Sequence, residues 1–110
     1  MTITIEDFQR VDLRVGRIVE VEAFPEARKP SYKLTIDFGP LGTRRSSAGL
    51  KPYYTPEELI GRQVICVVNL PPRRVAGFAS EVLVLGAIQS DERVILLQPD
   101  RTSELGRPIA

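Results

Sequence analysis

The sequence contains no histidine and a single cysteine. Without imidazole there is no Ser-His-Asp or Cys-His arrangement and no His-ligated zinc or haem. One cysteine removes Cys-cluster metal sites and any internal disulfide. Cys66 lies inside the run Val64-Ile-Cys-Val-Val68, where a free thiol reads as a small core hydrophobe. Carboxylate pairs remain, but Glu57-Glu58 and Asp91-Glu92 stand where a helix start and a turn want acids. The expectation is a protein without catalysis, metal or cofactor. No apolar run approaches the ~20 residues of a membrane helix, and Met1-Thr-Ile-Thr-Ile5 lacks the basic start and apolar stretch of a signal peptide. No membrane insertion and a cytoplasmic, reducing location are therefore expected.

What is present fits one domain, residues 1–110. A core of that size is thin, so some apolar surface is open to burial between subunits. The net charge of +1 conceals an uneven distribution. Residues 1–26 carry three basic side chains against six acidic, and residues 81–110 carry three against five. Residues 27–80 carry nine basic against three acidic. If those middle charges share one face, that face suits a polyanion; scattering around the molecule is the alternative.

The periodicity predicts an all-β domain. Thr4-Ile-Glu-Asp7 reads as a capping box opening a short helix to about Gln9. A long strand follows from Val11 to Phe24, with Leu13, Val15, Val19, Val21 and Ala23 inward and Gly16 permitting a bulge or coil. Pro25 to Pro30 is a loop. Tyr32 to Phe38 alternates, with Tyr32, Leu34, Ile36 and Phe38 inward. Thr43 to Ala48 is a third strand with little to bury, expected to face solvent. Thr55-Pro-Glu-Glu58 is a strong helix start. A short helix there, ahead of the apolar strand Gln63 to Val68, matches the OB plan of a five-stranded closed barrel with one end plugged. Asn69 to Gly77 reads as a loop too proline-rich to pair. Glu81 to Ala87 and Arg93 to Gln98 read as a hairpin, and Pro108-Ile-Ala110 as a short edge segment.

Lys33 and Thr35 then point outward and, with Arg44 or Arg45 and Ser46, would form the sheet surface that OB folds present to ligands. Arg73 and Arg74 sit on a stiff loop, offering bidentate donors to phosphate or carboxylate; a salt bridge to Glu81 or Asp37 is the structural alternative. Phe78 is either an exposed apolar anchor or a cap on the barrel. Asn69 and Ser80 are candidates too, though bonds to backbone suit them better than ligand contact. Tyr53 and Tyr54 are expected to pack beneath the short helix, and Asp12 with Arg14 to form a structural pair.

Several segments together resemble the tRNA-binding OB-domain family, found fused to methionyl- and phenylalanyl-tRNA synthetases and as free-standing proteins. They are Val11-Asp-Leu-Arg-Val-Gly-Arg-Ile18, Phe24-Pro-Glu-Ala-Arg28, Tyr32-Lys-Leu34, Ile36-Asp-Phe-Gly39 and Asn69-Leu-Pro-Pro-Arg-Arg-Val-Ala-Gly77. Arg44-Arg-Ser-Ser-Ala48 and Gly77-Phe-Ala-Ser-Glu-Val-Leu-Val-Leu-Gly86 are most similar to its branch of small, export-related chaperones. The resemblance implies an OB barrel, a homodimer without cofactor, and an apolar surface rimmed by basic residues that holds unfolded preproteins or peptides. For the wider family it implies tRNA as partner. The chain departs from the RNA-side loop Leu-Lys-Pro-x-Lys-x-Arg-Gly and its Ser-x-Gly-Met ending. Pro71 replaces Lys, Ala76 replaces Arg, Val82 replaces Gly and Leu83 replaces Met. Two cations are thus absent there, partly offset by Arg73.

Overall fold

A computed structural model describes all 110 residues. Helix α1 (Ile5–Gln9) is opened by Thr4, whose hydroxyl accepts from the Asp7 N–H while the Asp7 carboxylate accepts from the Thr4 N–H. Strand β1 (Leu13–Ala23) then pairs on both edges, with β2 (Tyr32–Asp37) and with β4 (Gln63–Val67). Strand β3 (Thr43–Ala48) pairs with β2, and β7 (Leu83–Val84) with β4. The sheet order β3-β2-β1-β4-β7 curls back on itself, leaving β3 and β7 to meet. Helix α2 (Pro56–Leu59) lies between β3 and β4 and buries Leu59 in the core. Two small hairpins complete the fold: β5 (Arg73–Val75) with β6 (Phe78–Ser80), and β8 (Gly86–Ile88) with β9 (Val94–Leu96). This is the expected OB-type architecture. No helix is long and apolar enough to cross a membrane.

The curl has a cause in β1. Its register against β2 slips between Ile18 and Glu20, so Val19 is an unpaired bulge residue that bends the strand. The bulge reverses the pleat. Ile18 is fully buried and Val19 is 41% exposed, which corrects the expectation that Val19 points inward. Gly16 has a different task from the one expected. A Cβ there would sit 2.5 Å from Ile36 Cγ2 and 2.7 Å from Phe38 Cε1, so its bare backbone makes room for the core. The C-terminal segment fills the edge of β1 that β2 does not reach. Arg14 bridges Pro108, and Ile109 N–H donates to Leu13 C=O at 3.0 Å, as expected for an added edge segment.

The core joins Ile18, Leu34, Ile36, Phe38, Leu59, Val64 and Cys66 with Tyr32 and Tyr54. Tyr54 is buried as expected: its hydroxyl accepts from Leu96 N–H, while Tyr32 donates to the Tyr54 carbonyl at 2.8 Å. Tyr53 instead stays partly exposed under the Arg93 guanidinium. The predicted strand from Glu81 to Ala87 is broken into β7 and β8 at Leu85, where the chain changes partner: Leu85 N–H donates to the Ile65 carbonyl beside β4, while the Leu85 carbonyl accepts from Leu97 N–H beside β9.

Candidate binding site

Strand β3 is not the open surface its composition implied. Its outer edge is sealed by side chains instead of a regular ladder. Arg45 N–H donates to Glu81 Oε1 and Glu81 N–H to the Arg45 carbonyl, both at 2.8 Å. Ser46 Oγ donates to the Val82 carbonyl at 2.8 Å, and Ser47 N–H donates to Ser80 Oγ at 2.9 Å. Ser46 is 1% exposed and Ser80 is also buried. The expectation of Ser46 as a ligand contact is therefore corrected: a six-residue strand edge meeting a two-residue β7 has too few backbone partners, and the two serines supply them. Ser80 serves the same seam. Asn69 likewise ties backbone to backbone, accepting from Asp12 N–H at 2.9 Å and donating to the Arg10 carbonyl at 2.7 Å. The expected Asp12–Arg14 pair stands beside it at 2.6 Å.

The adjacent arginines part company. Arg44 lies opposite Ile36 and starts on the core side of β3, whereas Arg45 lies opposite Thr35 on the outer side, since successive strand residues alternate faces. Arg44 is thus removed from the expected outer surface. On that surface Lys33 faces Glu22 on β1 and Ser47 on β3, and Thr35 faces Glu20 and Arg45. Arg45 reaches diagonally to Glu22 at 2.6 Å. Phe78 rests on this surface half-buried, edge-on to Phe24 with ring centroids 5.5 Å apart. Lys33 Nζ lies 4.8 Å from the Phe24 centroid and 5.3 Å from that of Phe78, and the Arg45 guanidinium lies 4.9 Å from Phe78. These cations hold the β5–β6 hairpin onto the sheet.

The hairpin itself contradicts the reading of residues 69–77 as unpaired loop. Pro71 and Pro72 precede β5 and remove no ladder bond, and Ala76-Gly77, with φ of +47° and +81°, form a two-residue turn of the twist hairpins favour. Neither Arg73 nor Arg74 pairs with Glu81 or Asp37; Arg74 donates to the Gly77 carbonyl at 3.0 Å. Between β5 and the β1–β2 loop lies an open groove of about 570 Å³. Arg28 and Lys29 line one wall, Arg73 and Arg74 the other, and Ser47 and Gly49 lie between. Glu26 is its one acid. Arg28, Lys29 and Arg73 enter no ion pair. Past Arg73 and Ser47 the groove continues into a second one bordered by Leu70, Pro71, Pro72 and Leu83, with the two leucines 47% and 49% exposed. Arg28 and Lys29 were missed from sequence. Their signal was a basic pair bracketed by Pro25 and Pro30 in the first inter-strand loop, one of the two loops OB folds bring to ligands.

Cys66 is buried, and desolvation pushes its thiol up to about 12. The arrangement offers cationic donors beside exposed apolar side chains.

Residues 13–108 match the family model described as "Putative tRNA binding domain". The chain belongs to this tRNA-binding-domain family. Two solved structures are similar over the whole length. The chaperone CsaA of Bacillus anthracis shares 49% identity at a TM-score of 0.95, with 100% of each chain covered. The CsaA chaperone protein of Picrophilus torridus shares 51% identity at a TM-score of 0.92, covering 99% of this chain and all of that one. Methionine–tRNA ligase 1 of Sorangium cellulosum is 50% identical over 103 residues, which are 94% of this chain but 14% of the ligase. The chain thus spans about one seventh of the ligase relatives' length.

Proposed function

We propose that this tRNA-binding-domain protein is a CsaA-like export chaperone that holds unfolded preproteins or peptides, without catalysis, in the cytoplasm. The observation that carries the reading is the junction of the two grooves: the one lined by four cations meets, at Arg73 and Ser47, the one bordered by Leu70, Pro71, Pro72 and Leu83. An extended segment laid along it meets charge at one end and apolar surface at the other, so capture is weakly selective for sequence. Full-length likeness to two CsaA structures supports the same reading. The protein acts as a homodimer in this proposal. Ile3, Ile5, Val11 and Ile109, exposed around α1 and the C-terminal segment, are the apolar surface that a second copy would cover; sedimentation as a monomer at micromolar concentration would contradict it.

A second reading, a module that recognises tRNA by backbone and shape, is favoured by the family match and by the unpaired cations of the groove. Parallel titrations separate the two. An unfolded preprotein and bulk tRNA are each titrated at low and moderate salt, with the Arg73→Ala/Arg74→Ala variant as control. Preprotein binding that survives moderate salt supports the chaperone. Binding of tRNA alone, falling steeply with salt and with a slope lowered by roughly 0.7–0.9 for each lost contact, replaces it.

A further inference from the structure

We propose that the groove takes its guest as an added β-strand: an extended, acid-bearing polypeptide hydrogen-bonded to the free edge of β5 at Arg74. This rests on the peptide-holding reading and specifies how that site works. Strand β5 has one neighbour, β6, with register Arg73↔Ser80, Arg74↔Ala79 and Val75↔Phe78. In a two-residue hairpin the pair flanking the turn exchanges both its N–H···O=C bonds, and the next pair exchanges none. Val75 and Phe78 flank the Ala76-Gly77 turn, so Arg74 and Ala79 form the non-bonded pair. The N–H and C=O of Arg74 consequently point away from β6, into the groove that Arg73, Arg74, Val75 and Ala76 line. No tertiary backbone hydrogen bond uses either group. The Arg74 guanidinium is drawn back to the Gly77 carbonyl, against its own turn. A free edge with an unpaired donor and acceptor is the template that strand addition uses. Pro71 and Pro72 end it on one side and the turn on the other, which limits pairing to one repeat. Such a short edge catches a chain without templating aggregation.

The walls set the chemistry of the guest. Arg28, Lys29 and Arg73 lack ion-pair partners, while Glu26 is the only acid. Carboxylate side chains on the guest satisfy them, and its apolar residues run on past Arg73 toward Leu70 and Leu83.

The test uses a fluorescein-labelled ten-residue peptide of alanine and valine with two glutamates, followed by anisotropy. Arg74→Ala removes the side chain alone. Arg74→Pro also removes the N–H, and because that N–H is outside the ladder the hairpin tolerates proline there. Arg74→Pro is expected to bind at least fivefold more weakly than Arg74→Ala. Should Arg74→Pro melt the hairpin, two depsipeptide versions replace it, with esters at odd or at even positions. One is expected to lose at least fivefold and the other to bind like the parent, because strand donors alternate in direction. Replacing both glutamates by lysine is expected to cost more than tenfold. Equal binding by the two Arg74 variants and by both depsipeptides overturns strand addition while leaving the chaperone reading intact. No peptide binding at all, or binding of tRNA only, overturns both.

Discussion

Two regions a few residues apart treat their polar groups in opposite ways. At the seam between β3 and residues 80–82, Ser46, Ser80 and Glu81 each find a backbone partner between 2.8 and 2.9 Å. In the groove on the far side of the β5–β6 hairpin, Arg28, Lys29 and Arg73 have none. Both regions use Ser47, and both were polar and supplied candidate ligand residues from sequence: Ser46 and Ser80 in the one, Arg73 and Arg74 in the other. The difference teaches that polarity alone does not mark a binding surface. Satisfied polar groups close a fold, because leaving them unpaired when buried costs about 1–3 kcal/mol each. Unsatisfied ones at the surface remain available to a guest.

Substitutions can break that division. The largest stability effect is expected at Gly16, whose methyl would overlap Ile36 and Phe38. Gly16→Ala should cost up to about 3 kcal/mol by overpacking, seen as a lower urea midpoint at unchanged slope, with guest affinity intact once folded. Ser46→Ala leaves the Val82 carbonyl without its donor. It should cost about 1–2 kcal/mol and change guest binding less than twofold; a binding loss without a stability loss would place Ser46 in the site after all. Lys33→Met removes a cation from two aromatic rings. About 0.5–1 kcal/mol is expected, detectable as faster amide exchange in the β5–β6 hairpin.

The smallest effect is one of pH. The Thr55 backbone N–H, and then its hydroxyl, hold the Glu58 carboxyl below the usual range. A lowered folded value means the contribution is present above the unfolded value of about 4.3 and is lost as pH falls through the folded one. Glu58→Gln should therefore differ from the parent in thermal midpoint at pH 7 and converge with it only as pH falls below the usual carboxylate range.

The sequence made the barrel legible because its signals were local. The capping boxes at Thr4 and Thr55, the alternation of Tyr32 to Phe38 and the apolar run around Cys66 each specify one element without reference to the rest. What it hid depends on distant partners. The bulge at Val19 is defined by where β2 pairs, so the inward phase of β1 was misread. The seam needs Ser80 brought to Ser47, 33 residues away, and β5 needs the positive φ of Ala76, a residue that gives no turn signal by type. Among the candidates, Arg73 and Arg74 reach the groove directly, while Lys33, Arg45 and Phe78 act behind it as the clamp on the hairpin. Arg28 and Lys29 were unread because a loop's position is set by the strands it joins.

Placement of charge, as opposed to its amount, is expected to govern guest binding, and two double variants of equal net charge isolate it. Arg28→Ala/Arg73→Ala removes two of the groove's four cations, whereas Arg44→Ala/Arg101→Ala removes two cations elsewhere. Titrating an unfolded preprotein onto both should give a loss of about tenfold, equivalent to ~1.4 kcal/mol, for the first and less than twofold for the second. Equal losses for the two would contradict the assignment of the groove.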